Sequence, residues 1–525
     1  MNATHTITVD LAKVYKGSAK GAKYLTTLAW GDPVELINST ADHLEIKLTG
    51  FTEQSDGSIL PQSISGFIRP AKSSKLKPMD LISPVSLNKV LKVDFVDVQQ
   101  GDAAVIETPK GKLILVDGGD VQLFARYLAA RYPGTTLKKP QKIECILISH
   151  GDADHFAGLP KILESETNSV ARKRVFMQPK RIYHNGLVKR PSSVAEVKSF
   201  GKTQELDGET IITGLEENLL QVPDAEMNKE FREWKKTLKA YDSRSPVTFR
   251  KLAKGDDDAF DFLKSEKIKV KVLGPLLTAM GEDKGLRFLG TPPKGPRIEL
   301  KPGERPKFTG KSASHTINGH SVIFRLEYGK FHFLFAGDLN EEAEFELSAE
   351  HQAGEIELGA EVFKVPHHGS ADFLPQFIRA VAPVVSVISS GDENSRKEYI
   401  HPRAPLVGSL GRYSRVSEPL IFVTELVAFF KTEGFVKREF HKVDQKGELL
   451  LKSGKAQVDD KVKKMKSFFG FSRTAYGIVR VRTDGERLLV FTNSGQADLK
   501  EAYAYRMLKD EGGLDEVRPD EVKMV

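Results

Sequence analysis

Between Ser149 and Leu159 the chain reads Ser-His-Gly-Asp-Ala-Asp-His-Phe-Ala-Gly-Leu, which puts His150, Asp152, Asp154 and His155 within six residues. The apolar run Cys145-Ile146-Leu147-Ile148 leads into it, and a helix-like run, Leu159-Pro160-Lys161-Ile162-Leu163, follows. Carboxylates at the end of a buried strand need a compensating charge, because an unpaired ion is costly to bury, and a divalent cation is the simplest partner for two imidazoles and two carboxylates. The loop therefore reads as the first half of a dinuclear metal site. The second half lies downstream, where Phe331-His332-Phe333-Leu334-Phe335 ends in Ala336-Gly337-Asp338, and Val362-Phe363-Lys364-Val365 ends in Pro366-His367-His368-Gly369-Ser370. Imidazole nitrogen with hard oxygen suits Zn²⁺, Mn²⁺ or Fe, and the extra carboxylate leans toward Mn²⁺.

The elements that must hold these residues are strands followed by helices. Leu91-Lys92-Val93-Asp94-Phe95-Val96 alternates with period two, Ala103 to Glu107 is a second strand, and Lys112 to Val116 is a third that ends in Asp117-Gly118-Gly119. A helix is expected from about Val121 to Tyr132, and another from Val222 to Tyr241. Polar residues at successive strand ends place the site along the rim of a sheet. Residues 281 to 314 read as a long loop dense in Gly, Pro and Lys, of the kind that serves as a lid or binding loop. The tail carries a hairpin, Tyr476 to Arg482 and Leu488 to Thr492 about an Asp484-Gly485 turn. The expected organisation is a small β unit over 1–70, a Pro/Ser/Lys linker over 71–90, an α/β domain over 91–430 with an insertion around 190–315, and a C-terminal extension over 431–525.

Composition sets limits. The chain has 525 residues, too many for one ordinary domain, and 78 basic against 71 acidic side chains give a mild excess of +7 that is compatible with a polyanionic substrate. The single cysteine, Cys145, excludes internal disulfides and a cysteine zinc site. No apolar run of membrane-spanning length occurs, and Met1 to His5 lacks the features of a signal peptide, so a cytoplasmic protein is expected. Cys145 and His332 read as packing residues, and the basic runs Arg172-Lys173-Arg174 and Lys461-Val462-Lys463-Lys464 as solvated faces. His184, Ser370 and His401 are candidates for contact with substrate or for orienting the ligands.

The recurrence of strand then ligand, together with Phe95-Val96-Asp97-Val98-Gln99-Gln100-Gly101-Asp102-Ala103, Val116-Asp117-Gly118-Gly119, Ala336-Gly337-Asp338 and Val365-Pro366-His367-His368-Gly369-Ser370, resembles the metallo-β-lactamase superfamily from about Val93 to Pro402. Within it the motifs are most like the branch containing the hydrolase domain of competence protein ComEC, and the phosphorylcholine esterase branch is also similar. The resemblance implies an αββα sandwich with two divalent metal ions at the sheet edges, Zn²⁺ foremost with Mn²⁺ as the alternative. It implies that His150, Asp152, Asp154 and His155 form the first metal motif, with Asp152 standing where most of the superfamily has histidine. Asp338 would be the bridging carboxylate, and His367 or His368 the last histidine ligand. His320 stands where the wider family carries another histidine, which ComEC-like members often lack. Asp117 would support the ligand loop, and Asp154 or Asp117 would orient the nucleophile. A hydroxide bridging two metals about 3.5–4 Å apart would attack phosphorus or a carbonyl. The activity expected is phosphodiester hydrolysis, as a nuclease or nucleotide phosphodiesterase acting on nucleic acid or nucleotides. Ester, lactone or amide hydrolysis is the alternative within enzymes, and an assembly protein with a structural metal site is the alternative outside them.

Residues 6 to about 70 resemble bacterial SH3-like domains through Ala12-Lys13-Val14-Tyr15, Trp30-Gly31-Asp32-Pro33-Val34-Glu35 and Gly66-Phe67-Ile68. That resemblance implies a small all-β barrel that binds a protein, or a cell-wall or peptide ligand.

Overall fold

The structure is a computed structural model that describes residues 3–53, 59–71, 74–292, 307–391, 401–424, 451–452, 455–456, 477–493, 500–509 and 515–525. Part of the expected lid loop and the run Lys461 to Lys464 lie outside the described residues.

Alternation along the strands decides the architecture. In Leu91–Phe95, Ala103–Glu107 and Leu113–Asp117, the residues Val93, Phe95, Ala104, Ile106, Ile114 and Val116 face one apolar core, while Val105, Leu113 and Leu115 face another. These strands are the middle of a ten-stranded sheet. Cys145–Leu147, Arg181–His184 and Thr248–Lys251 continue it on one side, and Val479–Thr483, Arg487–Asn493, Lys500–Lys509 and Asp515–Asp520 on the other. A second sheet of six strands runs in the order Ile268–Gly274, Ile323–Tyr328, Phe331–Phe335, Val362–Lys364, Val385–Ile388, Leu420–Val423. The two sheets share one core, in which the Phe324 and Phe335 rings stack at 4.6 Å and Phe95 meets Phe335 at 5.7 Å.

Helices cover the outer faces. Leu123–Arg131 and Lys229–Arg244 pack on the larger sheet through Phe124, Leu128, Trp234 and Leu238. Glu341–Gln352, Pro375–Val381 and Ala404–Arg412 pack on the smaller sheet through Leu347, Phe377 and Leu410. Lys229–Arg244 starts later than the expected Val222, because the Asn228 side chain caps it by accepting from Phe231 N at 3.0 Å. The turns before it are the short 3₁₀ segments Leu219–Gln221 and Asp224–Glu226, with Pro223 between them.

The segment boundaries differ from expectation in three places. Residues 3–71 contribute six strands to a seven-stranded antiparallel sheet with its own core of Ile7, Val14, Val34, Leu44, Ile46 and Ile68. Its seventh strand, Ile82–Pro84, comes from the segment read as a solvated linker; Leu81 and Ile82 are buried there, and Ile82–Pro84 pairs with His5–Ile7. The insertion carries a four-stranded sheet, Thr203–Leu206, Glu209–Ile212, Asp283–Arg287 and Thr278–Met280, so part of the expected loop is strand. The tail hairpin is part of the large sheet, with Val481 opposite Val93. Arg487 ties that hairpin to the N-terminal sheet through a buried ion pair with Asp10. No helix among the described residues is long and apolar enough to cross a membrane.

Candidate metal centre

The site forms where the rims of the two large sheets meet. Cys145–Leu147 delivers Ser149 and His150, and the short helix Ala153–Phe156 delivers Asp154 and His155. Phe331–Phe335 delivers Asp338, and Val362–Lys364 delivers the turn of His367 and His368. The rims are joined directly, since Val322 N donates to the Ser149 carbonyl at 2.7 Å. Gly337 makes the approach feasible: a Cβ there would lie 2.6 Å from Ser321 Cβ and 3.1 Å from Ser149 Cβ, and its φ is +49°. Three site residues also sit in the left-handed region, Asp117 at φ 57°, His367 at 50° and His368 at 52°. Such conformations cost about 1–3 kcal/mol each and persist where the surroundings fix them.

Asp338 is the hub. His155 Nε2 lies 3.1 Å from its Oδ1, His368 Nε2 3.2 Å from its Oδ2, and His150 Nε2 4.0 Å from its Oδ2. Asp154 Oδ2 is 3.2 Å from His368 Nε2 on the more open side, its side chain 27% exposed. The outer imidazole nitrogens are each spoken for. His155 Nδ1 donates to Asp117 Oδ2 at 3.0 Å, His368 Nδ1 to the Ser389 carbonyl at 3.0 Å, and His150 Nδ1 lies between Ser149 Oγ at 3.1 Å and Ser321 Oγ at 3.3 Å. Fixing Nδ1 turns each Nε2 inward, which is how ligating histidines are oriented. His150 Nε2, His155 Nε2, His368 Nε2 and Asp338 Oδ1 are then all buried with no partner in hydrogen-bond geometry. Orphaned buried polar atoms are rare in native proteins, and four converging on one point need a common partner. A tetrahedral ion with bonds of about 2.1 Å holds its ligands about 3.4 Å apart, close to the spacings seen here. The residues fit a divalent cation, with three groups in ligand range, each including His155: His150, His155 and Asp338; Asp154, His155 and His368; and Asp102, Asp117 and His155.

The electrostatics agree. Burial disfavours the Asp338 charge, yet His155 and His368 outweigh it and hold the carboxyl well below its usual range. Burial likewise opposes charge on His155 and His368, but Asp338, with Asp117 for the former and Asp102 for the latter, pushes both imidazoles well above theirs. Burial and the neighbouring His155 hold His150 down to about 4. In the bare protein, protons on His155 and His368 thus supply the positive charge that the carboxylates demand. A cation would supply it at the same place and release those protons.

The structure brings together His150, Asp154, His155, Asp338 and one histidine of the pair, His368. His367 points elsewhere, its Nε2 3.4 Å from the Asn318 amide and its ring 6.2 Å from that of His401. His401 is half-buried, with its ring 6.5 Å from the His368 ring. Ser370 Oγ accepts from Asp372 N at 3.1 Å. Three other expected residues are committed away from the cluster. Asp152 is clasped by the Lys189 ammonium. The imidazole of His320 is turned away because its Nε2 bonds the Arg287 carbonyl at 2.7 Å. His184 bonds the Glu217 carbonyl at 3.2 Å and the Gly186 amide at 3.0 Å, so both its nitrogens serve local structure. Asp117 is 1% exposed, with both oxygens occupied by Ser149 and His155, so it positions His155 rather than facing the opening.

Sequence reasoning passed over Asp102 and Lys364. The buried Lys364 ammonium pairs with Asp102, whose Oδ1 lies 3.5 Å from His368 Nδ1 beneath the cluster. Lys364 holds the Asp102 carboxyl low, against the effect of its burial. A lysine inside the apolar strand Val362-Phe363-Lys364-Val365 was the available signal.

No curated protein matches the chain. Residues 96–181, which carry Asp102, Asp117 and the whole His150–His155 loop, match the family model for the metallo-beta-lactamase superfamily.

Proposed function

We propose that the chain is a metal-dependent hydrolase of phosphodiester bonds, a nuclease or nucleotide phosphodiesterase. The observation that carries this reading is the convergence of three buried imidazole nitrogens, none in hydrogen-bond geometry, on Asp338. A bound Zn²⁺ or Mn²⁺ would supply Lewis acidity, making a water acidic enough to act as nucleophile near neutral pH and offsetting charge on the phosphate oxygens. The chain's own residues do the rest. Asp117, Ser389, Ser149 and Ser321 fix the imidazoles. Asp154, on the open side, accepts a hydrogen bond from the attacking water and so aims it. Burial and the nearby His368 hold His401 down to about 4, so it meets the substrate as a neutral imidazole. The Lys189 ammonium beside Asp152 favours an anionic substrate over a neutral lactone or amide. The paired sheets with outer helices support an αββα sandwich, and the separately cored N-terminal sheet supports an SH3-like module for a protein or peptide ligand.

The test is a substrate panel on metal-loaded protein: bis-p-nitrophenyl phosphate, single-stranded DNA, a lactone and a β-lactam. Metal-dependent cleavage of the phosphodiesters, lost in Asp338→Ala, is expected. Turnover of the lactone or β-lactam alone, or no turnover by a metal-loaded chain, would overturn it.

A further inference from the structure

Four ligand-type side chains occupy the His150–His155 loop, but only His150, Asp154 and His155 reach the cluster around Asp338. The fourth, Asp152, is held by Lys189. That lysine is not a loose surface side chain. Its carbonyl accepts from Asn228 N at 2.9 Å, at the cap of the Lys229–Arg244 helix. Its neighbour Val188 is 1% exposed in the core, and on the other side Arg190 is paired with Glu226 at 2.6 Å. The backbone on both sides therefore aims the Lys189 ammonium at Asp152.

Among the described residues, the same half of the site is short of donors for a second cation. His320, the further histidine ligand expected there, spends its Nε2 on the Arg287 carbonyl, and Ser321 stands beside His150 instead. The three candidate groups also share His155, and the third, with Asp102 and Asp117, lies on its Nδ1 side. With its Nδ1 given to Asp117, His155 has one nitrogen, Nε2, left for a metal. The two groups left on the Nε2 side share that single donor atom and describe the shell of one ion.

We propose that the centre holds one divalent cation at His155 Nε2, with donors drawn from His150, Asp154, Asp338 and His368, and that the Lys189 ammonium takes the place of a second cation beside it. This rests on the hydrolase reading and departs from the pair of ions implied by the sequence resemblance. One ion and one lysine balance the charge of Asp152, Asp154 and Asp338. An ammonium carries three N–H groups, so Lys189 can hold Asp152 with one and offer another to a non-bridging phosphate oxygen. A fixed cation there binds substrate phosphate and needs no metal of its own.

The test is metal stoichiometry of the full chain, by calorimetric titration with Zn²⁺ and by electron paramagnetic resonance of the Mn²⁺-loaded protein. The wild type should bind one ion tightly and show an uncoupled Mn²⁺ signal. Lys189→Met, which frees Asp152, should gain a second equivalent at least tenfold tighter than any weak second binding to wild type, and Lys189→Arg should not. Two tight ions in the wild type, or a Lys189→Met variant that keeps the wild-type stoichiometry and affinities, would overturn the inference. A wild type that binds no metal would overturn the hydrolase reading with it. One tight ion without phosphodiester turnover would overturn only the hydrolase reading.

Discussion

Asp117→Asn probes how the centre is held. Asp117 accepts from Ser149 N at 2.7 Å, Ser149 Oγ at 2.7 Å and His155 Nδ1 at 3.0 Å. Asparagine has the same shape but keeps one acceptor oxygen, which can serve the Ser149 amide. Its NH₂ group donates and cannot receive the His155 Nδ1 proton. His155 Nδ1 then keeps only the longer contact to Ser149 Oγ at 3.3 Å, a hydroxyl that can donate as well as accept, so the tautomer is no longer fixed and the nitrogen 3.1 Å from Asp338 no longer presents a free lone pair by default. Loss of such an outer carboxylate typically weakens metal binding 10–100-fold, which is about 1.4–2.7 kcal/mol. The metal-free fold should lose about 1–3 kcal/mol, because a buried charge-assisted hydrogen bond is removed. Zn²⁺ titration against a competing chelator reads the first quantity, and denaturant unfolding in EDTA reads the second. A variant that binds Zn²⁺ with wild-type affinity would refute the claim that Asp117 acts through His155.

Other expectations concern the scaffold. Gly337→Ala should cost about 2–5 kcal/mol, combining left-handed strain with overpacking against Ser321, and an unchanged unfolding midpoint would contradict the close approach of the rims. Arg487→Ala leaves the Asp10 carboxylate buried without its guanidinium, and should destabilise by about 3–5 kcal/mol and speed proteolysis between the N-terminal sheet and the rest; an unaltered digestion pattern would show the joint to be incidental. Although partial burial opposes the charge of Glu107, Lys92 and then Arg131 hold its carboxyl down from 4.5 to about 2. Its contribution, about 3 kcal/mol, is complete above pH 4.5 and is lost as pH falls toward 2; Glu107→Gln should flatten acid unfolding in that window, and an identical acid profile would refute the assignment.

What the sequence made legible was what local pattern controls. Apolar strands ending in His150, Asp338 and the His367-His368 pair stand out because alternation and strand-end chemistry are local. The choice of His368 over His367 was not legible, since it depends on two successive left-handed residues that turn only one ring inward. His320 sits at a ligand-like position, but its direction is set by the Arg287 carbonyl, a partner far away in the chain. The Asp102–Lys364 pair and the joining of Val479–Thr483 to Leu91–Phe95 are likewise long-range pairings. Leu81 and Ile82 were read as linker because the Pro, Ser and Lys before them dominate the composition, while their burial against the N-terminal core depends on tertiary packing.

The most direct measurement is the metal content of the full chain after equilibration with Zn²⁺ and removal of excess, beside that of Asp338→Ala. Asp338 is the carboxylate on which three imidazoles converge, so the wild type should retain bound Zn²⁺ and the variant should lose it while remaining folded by circular dichroism. A wild type without metal, or a variant that retains as much as the wild type, would contradict the account.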